Sequence, residues 1–258
     1  MRILLTNDDG LHAPGLQALE RIAAQLSDDV WICAPASEQS GAGRALTLDE
    51  PIRVIPFGPR RYAVRGTPTD CVMMAVLELM KDSPPDLVLS GVNNGSNLCE
   101  DVTMSGTVAG AIEGMALGIP SIALSQVERR VPGEDFFASS EAFAPTIIRR
   151  LLSVGWPSDV VISINFPSRP LSEIEGVSVT RQGVREKYIR RLERRADPGG
   201  RDYYWVTYSF ERMAPPEGSE LRAIYDRKIS VTPLHIDLTH DDTIAVLKPV
   251  VEAPLRDV

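Results

Sequence analysis

The chain has 258 residues and a formal net charge of −8, with 43% hydrophobic, 24% charged and 6% aromatic residues. That composition fits one globular domain with or without an extension, and no apolar run reaches the 18 residues needed to cross a bilayer. The acidity argues against general nucleic-acid binding, and an N-terminus charged only at Arg2, with too short an apolar stretch for an export signal, gives a cytoplasmic expectation.

The first ten residues, MRILLTNDDG, open with a strand over 2–6 that stops on Asn7-Asp8-Asp9-Gly10. After the loop 10–15, Leu16, Leu19, Ile22, Ala23 and Leu26 recur on one helical face, and VWICAPA returns as a strand, completing one βαβ unit. The loop SEQSGAGRALTLDE leads to two further strands, IRVIPF and RYAVR. Thr67-Pro68-Thr69-Asp70 then has the form of a capping box with proline at the first helical position, predicting a helix through CVMMAVLELM to about Lys81.

PDLVLSG reads as a strand buried on both faces, and TVAGAIEGMALG as a helix whose Ala and Gly residues permit close packing on a sheet. IPSIALS, a long helix within 137–153 and DVVISINF complete the alternation. The expected fold is α/β: a mostly parallel sheet with helices on both faces in a core body over 1–180, followed by a β-rich arm over 181–230 and a C-terminal strand and helix over 231–258. Residues 181–201 carry eight Lys or Arg against three acids, and Tyr203-Tyr204-Trp205 with Val206, Tyr208 and Phe210 follow in a β-prone run. About −13 of charge lies outside that basic stretch, so copies of the chain can attract one another through it. An arm joining subunits is therefore expected rather than a nucleic-acid site, for which basic and aromatic residues also suit.

Cys33, Cys71 and Cys99 are odd in number and lack metal-ligand spacing, so they read as reduced, buried small residues. The polar oddities fall at strand ends, where open α/β sheets bind ligands. Asp8 and Asp9 end the first strand, Ser40 lies in the loop after the second, and Asn93 and Asn97 follow PDLVLSG. Two carboxylates, a hydroxyl and an amide oxygen suit Mg²⁺ or Mn²⁺, whereas zinc would want His or Cys. A lone Asp in such a loop would more simply cap the following helix. Ser105-Gly106-Thr107 opens a helix whose free N–H groups attract phosphate, although Ser105 alone would serve as an ordinary N-cap. His12 near Asp9 is a minor candidate for proton donation. His235 and His240 are assigned no catalytic role, and Asp241-Asp242 fits an ordinary first helical turn.

NDDG at 7–10, APG at 13–15, SGAGRALTL at 40–48, GTPTDCV at 66–72, SGVNNGSN at 90–97, SGTV at 105–108 and PLHIDLT at 233–239 together resemble the SurE (survival protein E) family of metal-dependent 5′/3′-nucleotidases, over most of the chain. The resemblance implies a Rossmann-like fold and one divalent cation per subunit held by Asp8, Asp9, Ser40 and Asn93. It also implies phosphate contacts from Asn97, Ser105, Gly106 and Thr107. The implied reaction is hydrolysis of nucleoside 5′- and 3′-monophosphates, with short polyphosphate as a further substrate and Asp8 or Asp9 as general base. A homodimer or homotetramer with exchanged C-terminal arms is implied as well. Two departures stand out: Met104 where the family has Tyr before SGTV, and Gly43-Arg44-Ala45 in place of a Ser-rich loop. Arg44 reads as a cation at the mouth of the site or as a solvated side chain.

Two rivals share an acidic residue after the first strand. An aspartyl-phosphate phosphatase of haloacid-dehalogenase type attacks phosphorus with that Asp, but carries DxD rather than DDG. A receiver-type signalling domain needs an Asp where this chain has Asn93, and is about half as long.

Overall fold

The computed structural model describes residues 1–128, 135–185, 188–210 and 214–252. The first unit is β1 (Arg2–Thr6), α1 (Pro14–Ala24) and β2 (Asp29–Pro35), with β1 and β2 parallel. Leu16, Leu19, Ile22 and Ala23 are fully buried on α1, as their spacing predicts, and Leu26 packs against the same core just past the helix end. β3 (Arg53–Gly58) and β4 (Arg61–Arg65) form the antiparallel pair that carries the sheet beyond β2.

The capping box at Thr67 is formed in full, starting α2 (Pro68–Met74), and the chain continues as a π-helical turn over Ala75–Leu79 to Met80. Next come β5 (Leu87–Asn94), α3 (Gly106–Ala116), β6 (Ser121–Gln126), α4 (Ala138–Val154), β7 (Val161–Phe166) and a short β8 (Val177–Val179). A Cβ at Gly110 would sit 3.0 Å from Ser90 Oγ and 3.0 Å from Thr6 Cγ2, and one at Gly114 would strike Ser121 and Val88. These glycines let α3 lie directly on β1, β5 and β6.

β9 (Tyr188–Ala196) and β10 (Asp202–Phe210) pair with each other in a separate two-stranded sheet. α5 (Glu220–Tyr225) follows, then β11 (Ile229–Leu234) and α6 (Asp241–Val251). The main sheet has nine strands in the order β3-β4-β2-β1-β5-β6-β7-β11-β8, parallel except at the β3–β4 and β7–β11 pairs. Among the described residues of 181–230, β9 and β10 form a sheet of their own, and Arg190 of β9 donates to Met104 Sδ of the body at 2.7 Å. Residues 214–230 return to the body, where buried Glu220 accepts from the Cys99 and Gly183 N–H groups. β9 and α5 were not anticipated from sequence.

The core is aliphatic: Ile3, Leu5, Leu16, Leu19, Ile22, Leu87, Leu89, Ile122 and Leu124 are fully buried across the sheet and α1. Each such side chain contributes roughly 1.5–3 kcal/mol, a margin large enough to carry a costly polar cluster at one edge. All three cysteines are free and buried, as expected, and burial pushes the Cys71 thiol well up. On the hairpin, Leu192, Tyr203, Tyr204, Trp205 and Val206 are exposed; the side chains of Tyr208 and Phe210, like residues 186 and 187 of the basic run, lie outside the described set. α6 buries none of its residues and exposes Ile244, Val246, Leu247 and Val250. No helix among the described residues is long and apolar enough to cross a membrane.

Candidate active site

β1 delivers Asn7, Asp8 and Asp9 to the carboxyl edge of the sheet, and Asn7 gives the turn its shape. Its side-chain Nδ2 donates to Gly10 O (2.9 Å) while its Oδ1 accepts from Gly10 N (3.2 Å), and Gly10 takes φ 101°, open to glycine at little cost. Clamped this way, the two carboxylates between Asn7 and Gly10 cannot swing away from each other.

Asp8 is buried and meets the start of α3. The Thr107 hydroxyl donates to Asp8 Oδ1, and a Cβ added at Gly106 would lie 2.7 Å from Asp8 Cβ and 2.9 Å from Asp8 Oδ2. Glycine is thus required for Asp8 to sit against the helix N-terminus, whose N–H groups face negative charge favourably. Ser105 is the N-cap, its Oγ accepting from Val108 N at 3.0 Å. The plain capping role expected of Ser105 is thus formed.

Asp9 is less buried and lines a cleft of about 640 Å³ with Glu38, Asn94, Glu128, Phe136 and the 13–15 turn. Asn94 N donates to Asp9 Oδ2 at 3.3 Å, joining the ends of β1 and β5. β5 reaches there through a bulge at Gly91, whose φ of 137° and contact with the Leu124 carbonyl leave no room for a side chain. Asn93 donates its amide N–H to Gly95 O (2.9 Å), which leaves its side-chain oxygen for another partner.

The loop after β2 is pinned at three points. Gln39 N donates to Asp8 O (2.8 Å), Gly43 N donates to Met104 O (3.1 Å), and Thr47 donates to Asp70 from both its hydroxyl (2.6 Å) and its N–H (3.1 Å). Asp70 thereby serves two purposes, since it also closes the α2 capping box. The first pin holds the backbone preceding Ser40 on the Asp8 carbonyl, and the second brings the two departures from the family pattern, at 43–45 and at Met104, into contact. Arg44 is exposed to solvent, as expected, and its guanidinium pairs with Glu113 of α3 at 3.1 Å.

The remaining residues are placed as follows. Asn97 is buried toward β6 and β7, its Nδ2 donating to Ser125 Oγ (2.8 Å) and its N–H to Asn165 Oδ1 (2.9 Å), so its side chain is committed to the sheet. His12 is exposed, edge-on to Phe57. His240 caps α6, with Asp241 and Asp242 in the first turn. His235 accepts from Asp237 N.

The electrostatics state what the site lacks. Burial pushes the Asp8 carboxyl up, opposed by the hydrogen bonds from Thr107. Burial, then the charge of Asp8, raises Asp9 to about 6, with the Asn94 N–H opposing. Among the described residues no basic side chain opposes the raised values of these two adjacent, partly desolvated carboxylates, a state that a nearby positive charge would relieve. The available donors are all hard oxygens: Asp8, Asp9, the Ser40 hydroxyl and the Asn93 amide. Among the described residues no group of three or more His, Cys, Asp or Glu could hold a metal, and by donor chemistry alone carboxylate, hydroxyl and amide oxygens suit a small oxygen-seeking divalent cation better than zinc.

The family model for survival protein SurE matches residues 3–188. A 5′-nucleotidase SurE from Phenylobacterium zucineum is 64% identical over 248 residues, 96% of each chain. One from Caulobacter vibrioides is 62% identical over 261 residues, covering all of this chain and 99% of its own. The crystal structure of the SurE protein from Aquifex aeolicus superposes with a TM-score of 0.81 at 40% identity, over 97% of this chain and all of that one.

Proposed function

Because the chain belongs to the survival protein SurE family, we propose that it is a 5′-nucleotidase that uses the Asp8–Asp9 edge to release phosphate from nucleoside 5′-monophosphates. Hydrolysis of 3′-monophosphates and short polyphosphate is part of the same proposal. The family requires a divalent cation, and Mg²⁺ or Mn²⁺, one per subunit, is the form proposed here, held by Asp8, Asp9, Ser40 and Asn93. The observation that carries this reading is the buried Asp8 accepting from Thr107 at the first turn of α3, with Asp9 beside it facing the cleft.

When bound, the cation supplies Lewis-acid chemistry: it neutralises phosphate charge and makes a water molecule more acidic. The chain's own residues do the rest. Asp8, fixed by Thr107, anchors the site. Asp9, at the cleft wall, accepts the proton of the attacking water. The N–H groups of Gly106 and Thr107 hold phosphate oxygens at the helix start. Asn97 contributes by fixing the 94–98 turn through Ser125 and Asn165, a supporting role that its committed side chain favours over direct phosphate contact. The nucleoside extends along the cleft between the 13–15 turn and Phe136.

Assembly as a dimer or tetramer is proposed on the same footing. It is supported by the exposed aromatic and aliphatic side chains of the hairpin and by α6, whose apolar residues are not buried by any of the described residues.

A phosphate-release screen over nucleoside monophosphates, simple esters and polyphosphate, each with Mg²⁺, Mn²⁺ and EDTA, tests the reading. Sustained cation-dependent turnover of nucleoside monophosphates is the expected result. A single stoichiometric phosphorylation would indicate a receiver, and a phospho-aspartate trapped during turnover would indicate the covalent mechanism.

A further inference from the structure

Glu38 has no role in the site as described so far, yet it stands at its edge. Its carboxylate oxygen Oε1 accepts the Ser40 hydroxyl at 3.0 Å. Between these two residues, Gln39 N is hydrogen-bonded to the Asp8 carbonyl, so the Glu38–Ser40 pair is docked on β1 by its own backbone. Glu38 lines the same cleft wall as Asp9, and its charge reaches both Asp8 and Asp9.

We propose that Glu38 is a positioning residue that orients the Ser40 hydroxyl for the divalent cation. The inference rests on the cation site proposed above. A serine hydroxyl has one proton and two lone pairs. Free to rotate on an exposed loop, it would turn its proton toward the cation in a fraction of orientations, and that geometry is repulsive. With the proton committed to Glu38, both lone pairs are left for a cation on the Asp8 side, and hydrogen bonding to a carboxylate makes the oxygen a better donor. This is the arrangement by which outer groups tune metal ligands, and its loss typically costs about 10- to 100-fold in affinity.

Mn²⁺ binding followed by the loss of the free-ion electron paramagnetic resonance signal tests this without substrate turnover. Glu38→Ala is expected to weaken Mn²⁺ binding by about tenfold. Glu38→Gln, whose amide oxygen still accepts the hydroxyl, should lose clearly less. In a Ser40→Ala background, Glu38→Ala should change the dissociation constant by less than about twofold, because the residue acts through Ser40. Wild-type affinity in Glu38→Ala, with Asp8→Asn still defective, would overturn the assignment and leave the cation site standing. An equal loss in both backgrounds would overturn it in favour of a bare charge effect. Unchanged binding in Asp8→Asn and Asp9→Asn as well would mean that the cation site itself is misplaced.

Discussion

The Thr107 hydroxyl donates to the Asp8 carboxylate across 99 residues of sequence, and both side chains are buried. This bond ties the first strand of the sheet to the first turn of α3, so the proposed cation edge and phosphate edge move as one piece. Thr107→Val keeps the shape and removes the donor, leaving a buried carboxylate short of a partner at a cost of about 1–3 kcal/mol. The substitution should raise KM and weaken inhibition by free phosphate, while Thr107→Ser restores both. Phosphate inhibition equal to wild type in the valine variant would show that the hydroxyl bond to Asp8 does not hold the phosphate edge in place.

Asp8→Asn and Asp9→Asn should each lower phosphatase activity by about 100-fold or more, because the amide keeps the shape and loses the charge that holds the cation. The same changes should raise thermal stability in EDTA, since they relieve repulsion between partly desolvated neighbours.

The pH dependence of the cation-free protein follows from Asp9. Its folded value of about 6 lies above the usual 3.8, so the folded state favours the protonated form. The stabilisation this gives is fully present below about pH 4 and is lost as the pH rises through about 6. Melting temperature in EDTA should therefore fall between pH 4 and 7 more steeply for wild type than for Asp9→Asn. Parallel curves would show that Asp9 is not desolvated as the geometry requires.

Much of this architecture is legible locally. The capping box at Thr67, the alternation of strands and helices, and the Ala- and Gly-rich face of α3 all arise from neighbours in sequence, and each forms where its residues predict. What escaped depends on distant partners. YIRRLERRA becomes β9 because DYYWVTYSF lies alongside it, and its alternation of apolar and polar residues is too poor to announce a strand alone. α5, six residues long, is too short for a helical period to register. At the site, the Asp-Asp pair was visible, whereas the clamp by Asn7 and the pairing of Arg44 with Glu113 were not. Likewise Asp70 reads as a cap, and its second task, holding Thr47 of the 36–52 loop, exists only in the folded chain.

That second task gives a stability prediction. Asp70 is fully buried and accepts from Thr47 and Thr67, so Asp70→Ala should destabilise the protein by about 2–4 kcal/mol and loosen the loop that carries Ser40. Denaturant unfolding measures the first effect, and faster proteolysis within 40–48 the second. A loss below about 0.5 kcal/mol would mean the loop is held elsewhere.

Replacing the hairpin 188–210 with a short Gly-Ser linker leaves Glu220 and α5 in place on the body. Light scattering should then report a smaller assembly that retains nucleotidase activity. An unchanged assembly would assign the contact to another surface, such as α6.

Diffraction from crystals soaked in Mn²⁺, with data collected near the manganese absorption edge, tests the central claim most directly. The account predicts one anomalous peak per subunit, bonded to Asp8, Asp9, Ser40 and Asn93 at the carboxyl edge of β1 and β5. An Asp8–Asp9 edge without a peak at saturating Mn²⁺, or a peak coordinated by other residues, would contradict it.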